Sequence, residues 1–217
     1  TALTSVSIPN SVTQISSYAF SYCTALSSVS IPNSVTQIGW DAFSYCTALT
    51  SVSIPNSVTQ IESSTFYGCT ALSAISIPNS VTQIGSSAFQ GCTALTSVSI
   101  PNSVTQISSS AFGGCTSLSA INVDPKNQDY CSEDGILYNK AKTELVKYPE
   151  GKTDSSFTVP NSVKDLKLQN LPKLTSLKIP SSVKKLSLSN LPGLAALNIP
   201  NSVTDLDLSN MPGLTAL

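Results

Sequence analysis

Histidine and arginine do not occur in this chain of 217 residues. Their absence removes the side chain that most often serves as general base or metal ligand, and the guanidinium fork that clamps carboxylates and phosphates. Charge of either sign is scarce, with Asp, Glu and Lys making up 11% of the residues and a formal net charge of -1. Before Asp124 the only charged side chains are Asp41 and Glu62, and all 11 lysines lie between Lys126 and Lys185. Nucleic-acid recognition needs clustered cations against phosphates, so the long lysine-free stretch argues against it. Electrostatic attachment to an anionic membrane fails for the same reason. No apolar run reaches the length of a membrane-spanning helix, and the opening Thr-Ala-Leu-Thr-Ser-Val is not a signal peptide. Ser, Thr, Asn and Gln stand where charge is missing, so a chain that is 41% hydrophobic is still expected to be soluble.

What the chain has instead is repetition. Cys23, Cys46, Cys69, Cys92 and Cys115 recur at one phase of a 23-residue period, as do Phe20, Phe43, Phe66, Phe89 and Phe112 at another and Pro9, Pro32, Pro55, Pro78 and Pro101 at a third. A fixed period of this length marks a solenoid, in which each unit is too small to bury its own apolar face and must stack on its neighbours. Leu3, Val6 and Ile8 have the L-x-x-L-x-L spacing of a leucine-rich repeat strand, with Val6 and Ile8 inward and Ser5 and Ser7 outward. Pro9 cannot donate to a strand ladder, so Pro-Asn-Ser ends the strand in a turn. Val12 and Ile15 then return to the core from a second short extended piece, leaving Thr13 and Gln14 in solvent. The stretch from Ser16 to Cys23, with Ala19 and Phe20 inward, predicts an irregular or 3-10 turn on the convex side.

The spacing divides the chain into three parts: 1-123, the 23-residue array; 124-157, a divergent repeat; and 158-217, an array of 20-residue units. In the middle part, Asp134 to Lys140 and Thr143 to Tyr148 read as two alternating strands around a short polar turn, a β-hairpin inserted in the solenoid. In the last part Pro160, Pro180 and Pro200 repeat, as do Asn170, Asn190 and Asn210. The expected architecture is a right-handed, β-rich leucine-rich repeat solenoid with short 3-10 or irregular convex turns. Both ends of the chain fall inside the repeat pattern, which points to a segment of a longer protein.

The units C-T-A-L-T-S-V-S-I-P-N-S-V-T-Q-I-G-S-S-A-F closely resemble the BspA-like, or Treponema pallidum type, leucine-rich repeats of bacterial and protist surface proteins. The interruption Y-C-S-E-D-G-I-L-Y-N-K-A-K-T-E-L-V-K-Y-P-E-G-K is similar to the hairpin often found between repeat blocks in that family. The 20-residue units depart towards a more generic leucine-rich repeat. The resemblance implies a secreted or surface-anchored adhesion or interaction protein, with extracellular or host-surface proteins and glycans as its partners.

Individual positions carry competing readings. The cysteine ladder is read as buried thiols, because stacked positions point their Cβ atoms in parallel and an odd number cannot pair completely. A disulfide is not excluded by distance, since adjacent coils lie about 4.8 Å apart. Metal binding would need a C-x-x-C spacing or a histidine, and neither exists, so no metal or cofactor is expected. The turn face of the first three units carries Tyr18, Tyr22, Trp40, Tyr45 and Tyr67 where later units mostly have Ser, Gly or Gln, and these rings are candidate contact anchors. The alternative is that they pack on an adjoining unit. Ser5, Ser7, Ser28, Ser30, Ser51, Ser53, Ser76, Ser97 and Ser99 pave an uncharged concave face, read either as a second candidate site or as a solvated sheet. Lys164, Lys184 and Lys185 with Asp165 and Asp205 suggest a solvated ion-pair ladder, and the three asparagines a side-chain ladder to backbone.

No general base, nucleophile pair or metal site supports an enzyme. The function expected is non-covalent binding of proteins or glycans through one face of the solenoid. A structural spacer within a larger surface protein is the alternative, and ice binding through the serine face a distant third.

Overall fold

The structure, a computed structural model, describes residues 2–217. Each 23-residue coil contributes two short strands to two parallel rows. The first row comprises β1 (Ser5–Ser7), β3 (Ser28–Ser30), β5 (Ser51–Ser53), β7 (Ala74–Ser76), β9 (Ser97–Ile100) and β11 (Ala120–Val123). The second comprises β2 (Gln14–Ile15), β4 (Gln37–Ile38), β6 (Gln60–Ile61), β8 (Gln83–Ile84) and β10 (Gln106–Ile107). The register is one whole repeat, with Val6 beside Val29 and Ile15 beside Ile38. Parallel neighbours need a crossover between them, and here the rest of the coil supplies it. The Val12 N–H closes a turn on the Pro9 carbonyl at 3.0 Å, and Val35, Val58 and Val81 do the same on Pro32, Pro55 and Pro78.

The turn face differs from a 3-10 helix. Ala19, Ser21 and Cys23 donate to the carbonyls of Ser16, Tyr18 and Phe20. Tyr18 and Tyr22 have φ of 63° and 59°, however, so separate turns alternate with left-handed residues and no 3-10 winding propagates. These turns also bond from coil to coil, as in Phe20 N–H to Ala42 C=O at 2.8 Å and Phe43 N–H to Thr65 C=O at 2.9 Å.

Beneath them runs the phenylalanine spine, with successive ring centroids 5.2–5.6 Å apart and planes within 9° of parallel. Cys46, Cys69, Cys92 and Cys115 are buried free thiols, and Cys23 is a half-buried one. Each buried thiol donates to a phenylalanine carbonyl of the preceding coil, for example Cys69 Sγ to Phe43 O at 3.1 Å. Burial pushes Cys46, Cys69 and Cys115 up from 9.0 to about 12, and Cys92 upward as well. At pH 8 a thiol reagent should therefore modify at most Cys23 and the half-buried Cys131 in the native chain, and all six thiols after denaturation. Above the ordinary thiol value the unfolded chain loses protons that the native chain keeps, so stability should fall as pH rises from 9 towards 12. Rapid native modification of four or more thiols, or recovery of two disulfides from the ladder, would contradict this.

The middle segment is a three-stranded antiparallel meander of β12 (Tyr130–Glu133), β13 (Ile136–Asn139) and β14 (Leu145–Lys147), in that order. The two-strand hairpin expected from the sequence is β13 and β14, and β12 is the strand that reading missed. Asp134 and Gly135, assigned there to a strand, form the β12–β13 turn, with φ of 50° and 75°. Asp-Gly is the favoured pair for a two-residue hairpin turn with both residues left-handed.

This meander closes the first array with side chains in place of the carbonyls that a further 23-residue coil would present. The Ile107 N–H donates to Tyr130 Oη at 2.9 Å, the Val123 N–H to Ser132 Oγ at 3.0 Å, and the Gly114 N–H to Glu150 Oε1 at 3.1 Å. One coil earlier, the Gly91 N–H uses the Gly113 carbonyl. Glu150 is itself buried and paired with the buried Lys147 at 2.8 Å. Asn127, fully buried, donates to Pro101 O and Val104 O and accepts from the amides of Asp129 and Tyr130, so its polar atoms are satisfied.

In the second array β15 (Ser156–Thr158) and β17 (Ser176–Lys178) form one parallel pair, while β16 (Asp165–Gln169), β18 (Lys185–Ser189) and β19 (Asp205–Ser209) form a second parallel row. Second-row strands lengthen from two residues to five because Leu166 and Leu168 extend the inward alternation where Ile15 is followed by a turn. Asn170, Asn190 and Asn210 take left-handed φ of 58°, 54° and 48° at the corner that follows. Their amides bond to one another and not to backbone as expected. Asn190 Nδ2 donates to Asn170 Oδ1 at 2.8 Å and Asn210 Nδ2 to Asn190 Oδ1 at 3.0 Å, because the equivalent side chains face each other across one coil spacing.

Candidate functional site

Three of the five aromatic candidates come together on the turn face. The Tyr22 and Tyr45 rings stack with centroids 4.6 Å apart, and Tyr67 meets Tyr45 edge-on at 5.2 Å. The Tyr67 hydroxyl, and after it burial, pushes the Tyr45 phenol above its ordinary value. Tyr18 and Trp40 lie on adjoining coils, joined by a Tyr18 N–H bond to the Trp40 carbonyl at 3.0 Å, but among the described residues neither ring stacks on the tyrosine column. Tyr18, Tyr22 and Trp40 are 59%, 66% and 56% exposed.

The backbone beneath these rings is the informative part. Tyr18, Tyr22 and Tyr45 sit at φ of 63°, 59° and 57°. A left-handed conformation costs a residue with a Cβ about 1–2 kcal/mol, and for a bulky side chain it is an outlier. At the position of Tyr22 and Tyr45 the next three coils have Gly68, Gly91 and Gly114, with φ of 69°, 76° and 69°. The fold therefore asks for glycine there, and two coils carry tyrosine. Gly68 has a further role, because a Cβ at that residue would come within 2.8 Å of Tyr45 Cδ1 and lift the ring off its seat. The sequence held this signal in the glycines that share a phase with the tyrosines, and reading the rings only as exposed aromatics missed it.

The second candidate surface is the row of first-array strands. Ser5, Ser7, Ser28, Ser30, Ser51, Ser53, Ser76, Ser97 and Ser99 are all exposed. They lie in register across coils, as Ser5 beside Ser28 and Ser7 beside Ser30. Val6 and Val29 between them point inward.

The charged ladder of the second array is in register but not closed. Asp165 stands beside Lys185 and Lys185 beside Asp205, yet among the described residues the ion pairs within 4.0 Å all lie in the segment from Glu133 to Asp154. Exposed pairs gain little over solvation, which is why register alone does not close them. Among the described residues no group of three or more His, Cys, Asp or Glu could hold a metal ion, and no helix is long and apolar enough to cross a membrane.

Two rows of short parallel strands, a turn face carrying a buried phenylalanine spine and an inserted antiparallel meander define a strand-rich leucine-rich repeat solenoid. The chain belongs to the family described as the BspA type leucine rich repeat region, which matches residues 1–119 in 6 copies. Among solved structures it is similar to a leucine rich cell surface protein from Faecalibacterium prausnitzii, at 28% identity and a TM-score of 0.73, covering 99% of this chain and 78% of that one. It is also similar to the Treponema pallidum leucine rich repeat protein, at 26% identity and a TM-score of 0.55 over 86% of this chain and 73% of that one. The pneumococcal vaccine antigen PcpA shares the fold, with a TM-score of 0.79 at 22% identity over 97% of this chain and 66% of its own. No curated protein matches the chain in sequence.

Proposed function

We propose that this chain is the interaction segment of a secreted or surface-exposed protein, binding extracellular proteins or glycans non-covalently through the tyrosine column of its turn face. The observation that carries the reading is that Tyr22 and Tyr45 occupy left-handed positions where sister coils have glycine. Backbone strain of this kind persists where something other than stability favours the side chain. The cell-surface relative from Faecalibacterium prausnitzii supports the location, and the scarcity of charge on the first array favours contact through rings and hydroxyls over ion pairing.

The test is capture on a panel of extracellular-matrix proteins and a glycan array. Changing Trp40→Ser with Tyr45→Ser should weaken capture of whatever the panel identifies by roughly 30-fold or more, the effect of truncating one strong anchor. The circular dichroism spectrum should stay the same. If capture survives those changes and is lost instead on Ser28→Lys with Ser51→Lys, the serine face is the site.

A further inference from the structure

Where the two arrays meet, the turn face opens into a cleft of ≈ 480 Å³. Its lining includes Thr116, Glu150, Asn170, Pro172, Lys173 and Pro192. Among the described residues, three donors on this lining have no side-chain partner within the chain. Thr47, Thr70 and Thr93 each donate the side-chain hydroxyl to the carbonyl of the threonine one coil before, at 3.3–3.4 Å. Thr116, next in that ladder, makes no such bond. The asparagine ladder runs in one direction, each Nδ2 donating to the preceding Oδ1, so Asn170 at its head keeps a free Nδ2. Lys173 has no ion pair among the described residues, whereas Lys152 donates to Asp134 O at 2.8 Å and pairs with Asp154 at 3.2 Å. Glu150 is held by Lys147 and by the Gly114 N–H. The uncompensated charge of the lining is thus the Lys173 ammonium, and the same lining carries the Asn170 amide and the Thr116 hydroxyl.

We infer that this cleft is a second binding site, independent of the tyrosine column, and that it takes a carboxylated pyranose such as a uronic or sialic acid residue of a glycan. The Lys173 ammonium suits the carboxylate, since a charge-assisted hydrogen bond is stronger than a neutral one. Asn170 Nδ2 and Thr116 Oγ1 suit ring hydroxyls, and Pro172 and Pro192 give an apolar wall for the ring. The volume falls in the range of small-molecule pockets. A peptide is disfavoured, because the lining offers neither an aromatic or Arg anchor nor an unpaired strand edge.

The experiment is titration calorimetry of the whole chain with methyl glucuronide, the methyl glycoside of N-acetylneuraminic acid, neutral methyl glucoside and a blocked aspartyl dipeptide. At least one carboxylated pyranoside should bind, and methyl glucoside about tenfold more weakly or not at all. Lys173→Gln, an exposed change, should weaken binding by about tenfold. Asn170→Gly, which keeps the left-handed backbone, should weaken it several-fold, and Tyr45→Ser should leave it unchanged. Failure of both acidic sugars to bind, equal binding of methyl glucoside, preference for the dipeptide, or full binding by Lys173→Gln would overturn the assignment. Loss on Tyr45→Ser would place the sugar at the tyrosine column instead.

Discussion

Replacing Phe66 with alanine is expected to destabilise the chain by about 3–5 kcal/mol, measured by denaturant titration. Phe66 is fully buried, with the Phe43 ring 5.6 Å away on one side and the Phe89 ring 5.5 Å on the other. Truncation there removes the packing of two coil interfaces at once. Neither neighbour is free to collapse into the gap, because each ring is also stacked on the next one in its own direction. In a solenoid, coupling between coils carries much of the stability, so the transition should also broaden as the two halves of the first array come apart. Gln60→Ala, one strand away on an exposed position, should stay within about 0.5 kcal/mol. A loss below about 1 kcal/mol for Phe66→Ala would mean that the spine does not hold the coils together.

The second large effect is expected at the junction. Lys147→Met removes the cation from a buried pair and leaves the Glu150 carboxylate with the Gly114 N–H as its remaining partner. Stranding one charge of a buried pair costs about 3–5 kcal/mol. Adding Glu150→Gln should recover much of that loss, since an amide oxygen still accepts from Gly114 and no charge remains buried. A double variant no more stable than Lys147→Met alone would show that the pair acts through something other than charge compensation.

Periodicity made most of the fold legible. A residue type that recurs at one phase reports the same environment five times, which is why the phenylalanine spine, the thiols, the proline turns and the outward serines could be placed without coordinates. Residues that occur once carry no such signal. Glu150, Tyr130 and Ser132 each meet one backbone amide at the end of the first array and Asn127 meets two carbonyls and two amides, and nothing in their spacing identifies those partners. The strand β12 was hidden for a related reason, since its turn signal, Asp134-Gly135, also reads as the start of the next strand. The candidate site was half legible: sequence comparison between coils picked out the five aromatic residues, but only the ring packing separates the stacked Tyr22, Tyr45 and Tyr67 from Tyr18 and Trp40.

The claim that the tyrosine column is kept for contact rather than for stability is tested most directly by Tyr22→Gly with Tyr45→Gly, followed by both unfolding and ligand capture. Glycine relieves a left-handed strain of about 1–2 kcal/mol at each position, and the two changes together forfeit two ring contacts, Tyr22 with Tyr45 and Tyr45 with Tyr67, worth about 0.5–1.5 kcal/mol each. The predicted result is a stability within about 1 kcal/mol of the parent chain or above it, together with loss of capture. Capture undiminished in a variant of unchanged stability would contradict the account, and so would a large loss of stability, which would make the tyrosines part of the scaffold.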